Sequence, residues 1–293
     1  MLHYVRASGQ DEAKIRQFLG QFPMSHWSQN LSQYLNASLG GMFLALDDDS
    51  TVLGCAALVG ERSREMYILG MRMAPGEQSS EASQGLAGVL IEDATQTGAQ
   101  VVRALIEETD DIPLRVLQEE LQFNPQTEWE VGTLSELPVV FNRGVGEAGP
   151  AWAVDRERLF DFLAKHPGQV WASGDPWFPR TLTEEDLAHG FEVGGAALSP
   201  QDFAQPIAAL ALYSIKNRER LNLGYLQSAK TADLEALLTY LMVDAHAWGV
   251  TELRYGLASD QARALLEWYG KAAESGWRGW LLEKALHPAA VPS

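Results

Sequence analysis

Apolar runs separated by short polar turns dominate the first third of the chain, and their spacing predicts three neighbouring strands. The runs are residues 41–46, 52–59 and 65–73, and the turns between them lie at 47–50 and 61–64. Runs of this length joined by turns this short favour an antiparallel arrangement of buried strands. The segment therefore predicts a three-stranded meander.

Segments whose apolar residues recur at helical spacing lie before and after this meander. Helices are predicted at 11–22 and 26–35 before it; after it come a polar stretch, a helix at 86–97 ended by Gly98, a strand at 101–106, a helix at 111–121 and a strand at 128–134. The order of elements is that of an α+β fold. It predicts a mostly antiparallel, mixed sheet flanked by helices, with a strand–loop–helix–strand crossover at its centre.

The second half of the chain repeats the first. A shift of 154 residues aligns Leu69-Gly70 with Leu223-Gly224, and a shift of 151 aligns Asp93-Ala94 with Asp244-Ala245, which leaves three extra residues in the loop of the first copy. The second copy is predicted to have a helix at 155–165 and strands at 191–198 and 206–214. With the glycine-rich segment 142–150 as linker, we predict two domains, 1–145 and 146–293.

Composition narrows the possible partners. The formal net charge of −17 argues against nucleic acid or an anionic membrane as a partner and would suit a cationic ligand such as an amine. The N-terminus has no apolar signal sequence, and no apolar run is long enough to cross a bilayer, so we expect a soluble, cytoplasmic protein. The single cysteine, Cys55, and six histidines without ligand spacing predict no metal site.

The predicted crossover has the chemistry of an anion site. A strand that ends in a glycine-containing loop and opens a helix presents backbone N–H groups and the positive end of the helix dipole. Here the loop runs into the segment QGLAGVL, residues 84–90. With the order of elements, this segment resembles the GNAT superfamily of acyl-CoA-dependent N-acyltransferases, in a tandem, two-domain form that covers nearly the whole chain.

The resemblance implies where an acyl-CoA would bind. The family motif Arg/Gln-x-x-Gly-x-Gly/Ala falls on residues 82–87, with Ala82 in place of the usual Arg or Gln and a preceding loop about four residues longer than the family pattern. The backbone of Met71 and Met73 would bind the pantetheine arm. The diphosphate would be held by the residues of the predicted loop: Ser83, Gln84, Gly85, Leu86, Ala87 and Gly88.

The resemblance also implies catalytic residues. Acyl transfer to an amine needs a base, and the departing thiolate benefits from an acid. The nearest match to the family base is Glu65, and alternatives at neighbouring strand ends are Glu61, Glu107 and Glu108. Many family members use a tyrosine as the acid that protonates the thiolate. Tyr269 matches this tyrosine in the second copy, whereas Gln118 occupies the position in the first.

These features lead to two hypotheses. The first is an N-acyltransferase, with acetyl-CoA or another acyl-CoA as co-substrate, that acylates a primary amine of a small cationic acceptor in a ternary complex and uses the N-terminal copy to bind acyl-CoA. The alternative is a catalytically degenerate pair that binds acyl-CoA as a sensor or serves as an interaction module. The departures at Ala82 and Gln118, and Ala236 and Leu238 in place of the motif's small residues in the second copy, favour the alternative. The sequence leaves the acceptor, the acyl chain and the oligomeric state open.

Overall fold

The chain forms two compact units. The computed structural model describes residues 1–22, 31–37, 39–62, 64–138, 147–166, 169–172, 177–193, 195–216, 219–271, 273 and 275–286. Unit 1 comprises Met1–Glu128 and the C-terminal segment from Gly279, and unit 2 is Trp129–Arg278. This division differs from the predicted boundary at 145/146, because the last strand of the chain belongs to unit 1 and most of a strand near residue 130 belongs to unit 2.

Unit 1 follows the predicted order of elements with two differences: an unpredicted strand, His3–Arg6, begins it, and the strand predicted at 128–134 lies in unit 2 from Trp129 onward. Its elements are β1 (His3–Arg6), α1 (Glu12–Leu19), α2 (Leu31–Leu35), β2 (Gly40–Leu46), β3 (Val52–Arg62), β4 (Glu65–Met73), α3 (Ser79–Gln96), β5 (Val101–Glu107) and α4 (Asp111–Arg115), which continues as a π-helical turn at Val116–Glu120.

The sheet of unit 1 has the order β1-β2-β3-β4-β5-β14, where β14 is Ser275–Ala285. Strands β4 and β5 are parallel and the other pairs are antiparallel; Gly279–Ala285 of β14 pairs with β5. The turn between β2 and β3 forms because Asp47 accepts hydrogen bonds from the backbone N–H groups of Asp49 (3.0 Å) and Thr51 (2.7 Å). The predicted meander is therefore confirmed.

The core of unit 1 lies between this sheet and α3. Leu86, Leu90 and Ala94 of the helix pack on Ile68 and Met71 of β4, and all five are almost fully buried. Burial of this continuous apolar face stabilises the helix far more than its intrinsic propensity does.

Unit 2 repeats the arrangement with some elements added. Its elements are β6 (Asn124–Ser135), β7 (Gly149–Pro150), α5 (Arg156–Lys165), β8 (Val170–Ala172), β9 (Pro179–Thr181), α6 (Glu184–Val193), β10 (Ala196–Ser199), β11 (Ala209–Lys216), β12 (Arg220–Ser228), α7 (Thr231–Ala247), β13 (Glu252–Ala258) and α8 (Ser259–Tyr269). The strand predicted at 191–198 is wrong at its start, because residues 191–193 end helix α6.

The sheet of unit 2 has the order β6-β13-β12-β11-β10-β7, with β12 and β13 parallel. Strand β6 pairs antiparallel with β13 from Trp129 to Ser135. Each unit thus completes its sheet with a strand from the other half of the sequence. The outer edge of a strand such as β5 or β13 must pair with something, and the chain satisfies it with a distant strand.

Candidate functional site

The parallel strands β4 and β5 of unit 1 separate at their C-terminal ends. Paired residues run from Glu65 with Val101 to Leu69 with Leu105, although β4 continues to Met73 and β5 to Glu107. We call these diverging ends, residues 70–73 and 106–107, the unit 1 fork. A fork between parallel strands leaves backbone N–H and C=O groups available to an extended ligand.

A bulge begins this fork. The register between β3 and β4 shifts by one residue around Gly70, which has a φ of +59°. A positive φ costs glycine little and other residues much, so the glycine permits the bulge. The bulge turns the following residues of β4 away from β5.

Met71 and Met73 lie in the fork, and their side chains share one face, as their alternation in the sequence predicted. Both are buried, at 1% and 7% exposure, in the core beneath α3. Their side chains serve packing, so only their backbone is available to a ligand.

Helix α3 begins at Ser79, and five residues, 74–78, separate it from the end of β4. The Ser79 hydroxyl closes the intervening turn by hydrogen bonding to the carbonyl oxygens of Ala74 (2.5 Å) and Gly76 (2.7 Å). The predicted helix start at residue 86 is therefore wrong, and the loop is short. Its length, Ala74–Gln78, still exceeds that of its counterpart Ala229–Lys230 by three residues, which confirms the predicted insertion.

The six residues predicted to form the diphosphate loop lie inside α3. Ser83, Leu86 and Ala87 are fully buried, whereas Gln84 is exposed. A Cβ at Gly85 would stand 2.1 Å from the Tyr4 ring, so Gly85 is small because β1 packs against it. For Gly88 a Cβ would meet nothing within 4 Å. Ser83, Gly85, Leu86 and Ala87 therefore have packing roles. The helix N-terminus lies at Ser79, whose own N–H donates to the carbonyl oxygen of Gly76 (3.3 Å).

A buried arginine crosses the unit 1 fork. Arg72 is 3% exposed, and its guanidinium forms ion pairs with Glu107 at the end of β5 and with Asp110 just before α4. The Phe22 ring lies 5.9 Å from the guanidinium carbon. Sequence reasoning missed Arg72 and Asp110, although an arginine within the apolar run EMYILGMRM was a visible anomaly.

The predicted catalytic glutamate lies elsewhere. Glu65 is the first residue of β4, about 16 Å from Gly70 at ~3.3 Å per residue, and it pairs with Arg103 at 3.3 Å. Of the alternatives, Glu107 lies at the fork and Glu108 is exposed beside it, while the Glu61 side chain falls outside the described residues. The structure therefore brings Glu107, and not Glu65, to the methionines of the fork.

The corresponding fork of unit 2 is occupied by the chain itself. Strands β12 and β13 pair from Arg220 with Glu252 to Leu223 with Tyr255 and then separate, with a bulge at Gly224. We call residues 224–228 and 256–258 the unit 2 fork. Strand β8 lies against both strands, and a Cβ at Gly224 would stand 1.9 Å from the carbonyl oxygen of Ala172.

A glutamine completes the filling of the unit 2 fork. The Gln261 side chain accepts a hydrogen bond from the backbone N–H of Leu226 (3.2 Å) and donates one to Gln169 (3.5 Å), which precedes β8. The 151-residue repeat places Gln261 at the position of Asp110 (261 − 151 = 110) and the 154-residue repeat places Leu226 at that of Arg72 (226 − 154 = 72). The two forks are therefore bridged by equivalent residues with different chemistry.

Tyr269 lies at the opposite end of unit 2 from its fork. Its hydroxyl donates to the carbonyl oxygen of Ser135, which pairs with Glu252 at the start of β13. Ala236 and Leu238 are buried within α7. Neither predicted catalytic residue therefore lies at the fork of its own unit: Glu65 is distant from the unit 1 fork, and Tyr269 is distant from the unit 2 fork.

Two properties of the described residues concern metals and membranes. No group of three or more His, Cys, Asp or Glu side chains there could hold a metal ion. Within the same residues, no helix combines the length and the apolarity that crossing a membrane requires.

Similar solved structures are GCN5-related N-acetyltransferases. One from Sphaerobacter thermophilus has a TM-score of 0.55 at 14% identity, over 99% of this chain and 97% of that one. A proposed acetyltransferase of Thermoplasma acidophilum has a TM-score of 0.51 at 11% identity, over 97% and 100%. No protein-family model matches the chain, and no curated protein matches it in sequence. The chain therefore shares its fold with these two solved structures over nearly its whole length.

Proposed function

We propose that this protein is an acyl-CoA-dependent N-acyltransferase whose unit 1 binds the acyl-CoA. The observation that carries the proposal is the unit 1 fork, in a GNAT fold: the ends of β4 and β5 no longer pair with each other, a bulge lies at Gly70, and a helix begins at Ser79. The pantetheine arm would pair with the backbone of Met71 and Met73. The diphosphate would lie at the N-terminus of α3, beside the N–H groups of Ser80 and Glu81 and at the positive end of the helix dipole.

Unit 2 supports the choice of unit 1. In its fork, Gln261 already accepts the hydrogen bond from the Leu226 N–H, and the backbone of Ala172 occupies the space beside Gly224 that a pantetheine arm would need. We therefore expect one acyl-CoA per chain.

The carboxylates at the unit 1 fork supply the chemistry. In the proposed step the acceptor amine attacks the thioester carbonyl carbon, its proton passes to Glu107, and the C–S bond breaks. The thiolate then takes the proton, which leaves an amide, free coenzyme A and ionised Glu107. Arg72 would hold Glu107 in position through their ion pair.

The acceptor is proposed to be a small cationic amine. Glu107 and Asp110 together carry one more charge than Arg72 neutralises, and the chain as a whole has a net charge of −17. An ammonium group entering the fork would meet these carboxylates and release one proton to solvent, and the neutral amine so formed would then attack the thioester. Acetyl-CoA is the simplest acyl donor to test.

A second candidate is an acyl-CoA-binding protein without turnover. Glu77 and Glu81 flank the N-terminus of α3, and residues 74–82 contain no lysine or arginine. Like charge at this position weakens the binding of a diphosphate. This feature favours a weak or purely regulatory interaction over efficient catalysis.

Calorimetric titration with acetyl-CoA, followed by a thiol-release assay with a panel of amines, tests both candidates. Binding of one acetyl-CoA per chain with amine-dependent release of coenzyme A supports the transferase. Binding without release above the hydrolysis background supports the sensor. Two sites per chain, or no binding, would contradict the assignment to unit 1.

A further inference from the structure

Unit 2 contains a cavity away from its filled fork. It has a volume of about 360 Å³ and is bounded by helix α8 on one side and by β6 and β14 on the other. The volume falls at the lower end of the range of small-molecule sites, roughly 300–1,000 Å³. Its lining residues include Glu130, Arg263, Leu266, Glu267, Lys271 and Arg278.

An ion pair forms the back of the cavity. Glu130 of β6 is nearly buried, with 11% of its side chain exposed, and Arg278 of β14 binds it at 2.9 Å with 57% of its own side chain exposed. A guanidinium carries five N–H donors, so this contact leaves donors of Arg278 facing the cavity. The pair is therefore built to hold Arg278 in place while its outer edge remains available.

The side chain of Tyr255 passes across Gly132 toward the Glu130–Arg278 ion pair. A Cβ at Gly132 of β6 would stand 2.4 Å from the Tyr255 ring and hydroxyl, so only glycine lets Tyr255 cross the strand at this point. Burial, with the nearby Glu130 carboxylate, raises the pKa of Tyr255 to about 12, while Arg278 acts in the opposite direction. Tyr255 thus stays a neutral phenol within reach of the ion pair.

The cavity carries an excess of positive charge. Arg263, Lys271 and Arg278 line it against Glu130 and Glu267, a formal excess of one positive charge (3 − 2 = 1). Lys271 also contacts Glu136 at 3.1 Å, but both of these side chains are largely exposed. In a chain with a net charge of −17, such a local excess favours an anion.

We propose that this cavity binds a small organic carboxylate. Arg263 and Arg278 would hold the carboxylate, because a planar guanidinium matches its two oxygens. Leu266 would contact the aliphatic body of the ligand, and Glu267 at the rim would accept a hydrogen bond from a hydroxyl or amine that the ligand carries. Unit 2 would then be a ligand-binding unit, independently of acyl transfer by unit 1.

Titration calorimetry at low ionic strength with succinate as probe tests this proposal. We expect saturable binding of one succinate per chain and no binding of dimethyl succinate, which has the same carbon chain without charge. The Arg263→Gln variant should weaken succinate binding by about tenfold or more, as loss of a charged, bidentate contact does. Arg263 is exposed, so the variant should fold normally, which circular dichroism checks.

A matched variant separates the site from general electrostatics. Arg156→Gln removes the same charge from an exposed arginine of unit 2 that does not line the cavity. It should bind succinate as the parent does. Equal losses in Arg156→Gln and Arg263→Gln, equal binding of dimethyl succinate or inorganic phosphate, or no saturable succinate binding would each overturn the proposal.

Discussion

Gly224 lies directly against the backbone of Ala172, so that a Cβ at Gly224 would stand 1.9 Å from the Ala172 carbonyl oxygen. Through this contact β8 packs directly against the unit 2 fork, which shows that a strand of the same chain occupies the fork. The repeat-related Gly70 instead has a positive φ and begins a fork that no β8-like strand is described to cover. The two glycines have the same position in the repeat and serve different purposes.

Replacing Gly224 with alanine should destabilise the protein by about 2–4 kcal/mol, since the methyl group meets a backbone atom that cannot turn aside. Urea denaturation measures the effect. Gly276→Ala is a suitable control, because a Cβ there would be 3.9 Å from Val131. Equal stability of the two variants would show that β8 does not rest on Gly224.

Gly85→Ala should cost about 1–3 kcal/mol in stability, because the added methyl group overlaps the Tyr4 ring. Gly88→Ala in the same helix meets nothing within 4 Å and should stabilise the protein by about 0.5–1 kcal/mol through helix propensity. Thermal unfolding compares the two. If Gly85→Ala left stability unchanged but abolished acetyl-CoA binding, Gly85 would have the ligand role that the family motif implies.

Glu107→Gln should lower the rate of acyl transfer by about a hundredfold or more, the usual effect of losing a general base. Glu108→Gln is the matched control, since Glu108 is the adjacent, exposed carboxylate. Acetyl-CoA affinity, measured separately, should change little in either variant. An equal rate in both would exclude Glu107 as the base.

Glu81→Gln should tighten acetyl-CoA binding about twofold to fivefold, because it removes a negative charge from the first turn of α3 where the diphosphate is proposed to lie. The gain should shrink in high salt, which screens exposed charges. Glu92→Gln, in the same helix but far from its N-terminus, should leave the affinity unchanged. A similar gain in both variants would point to net charge alone.

Cys55 should not react with a thiol reagent in the native protein. Burial raises the pKa of Cys55 from 9.0 to about 12, so the reactive thiolate is scarce at pH 8. The folded state favours the protonated thiol, so this contribution to stability is present below pH 9 and is lost as the pH rises toward 12. Ellman's reagent should detect one thiol per chain only after denaturation; prompt reaction of the native protein would contradict the burial.

Local pattern was enough to predict most of the individual elements. Apolar runs and the Asp47 turn defined the β2–β3–β4 meander, because strand pairing between close neighbours is encoded within a few residues. The repeat predicted two related units and the three-residue insertion before α3. The start of α3 was misjudged because its first two turns are polar and rich in serine, and burial of Ser79 and Ser83 against the sheet outweighed their low helix propensity.

The sequence by itself determined the GNAT-like order of elements, the tandem repeat and the presence of the fork methionines. Only the tertiary structure decided which strand completes each sheet, which carboxylate reaches a fork and which fork is filled. Residues such as Arg72, Glu107 and Asp110, or Gly224 and Ala172, are brought together by long-range pairing. Such pairing depends on which sheet edges and cavities remain to be satisfied after local structure has formed, and no short stretch of sequence carries that information.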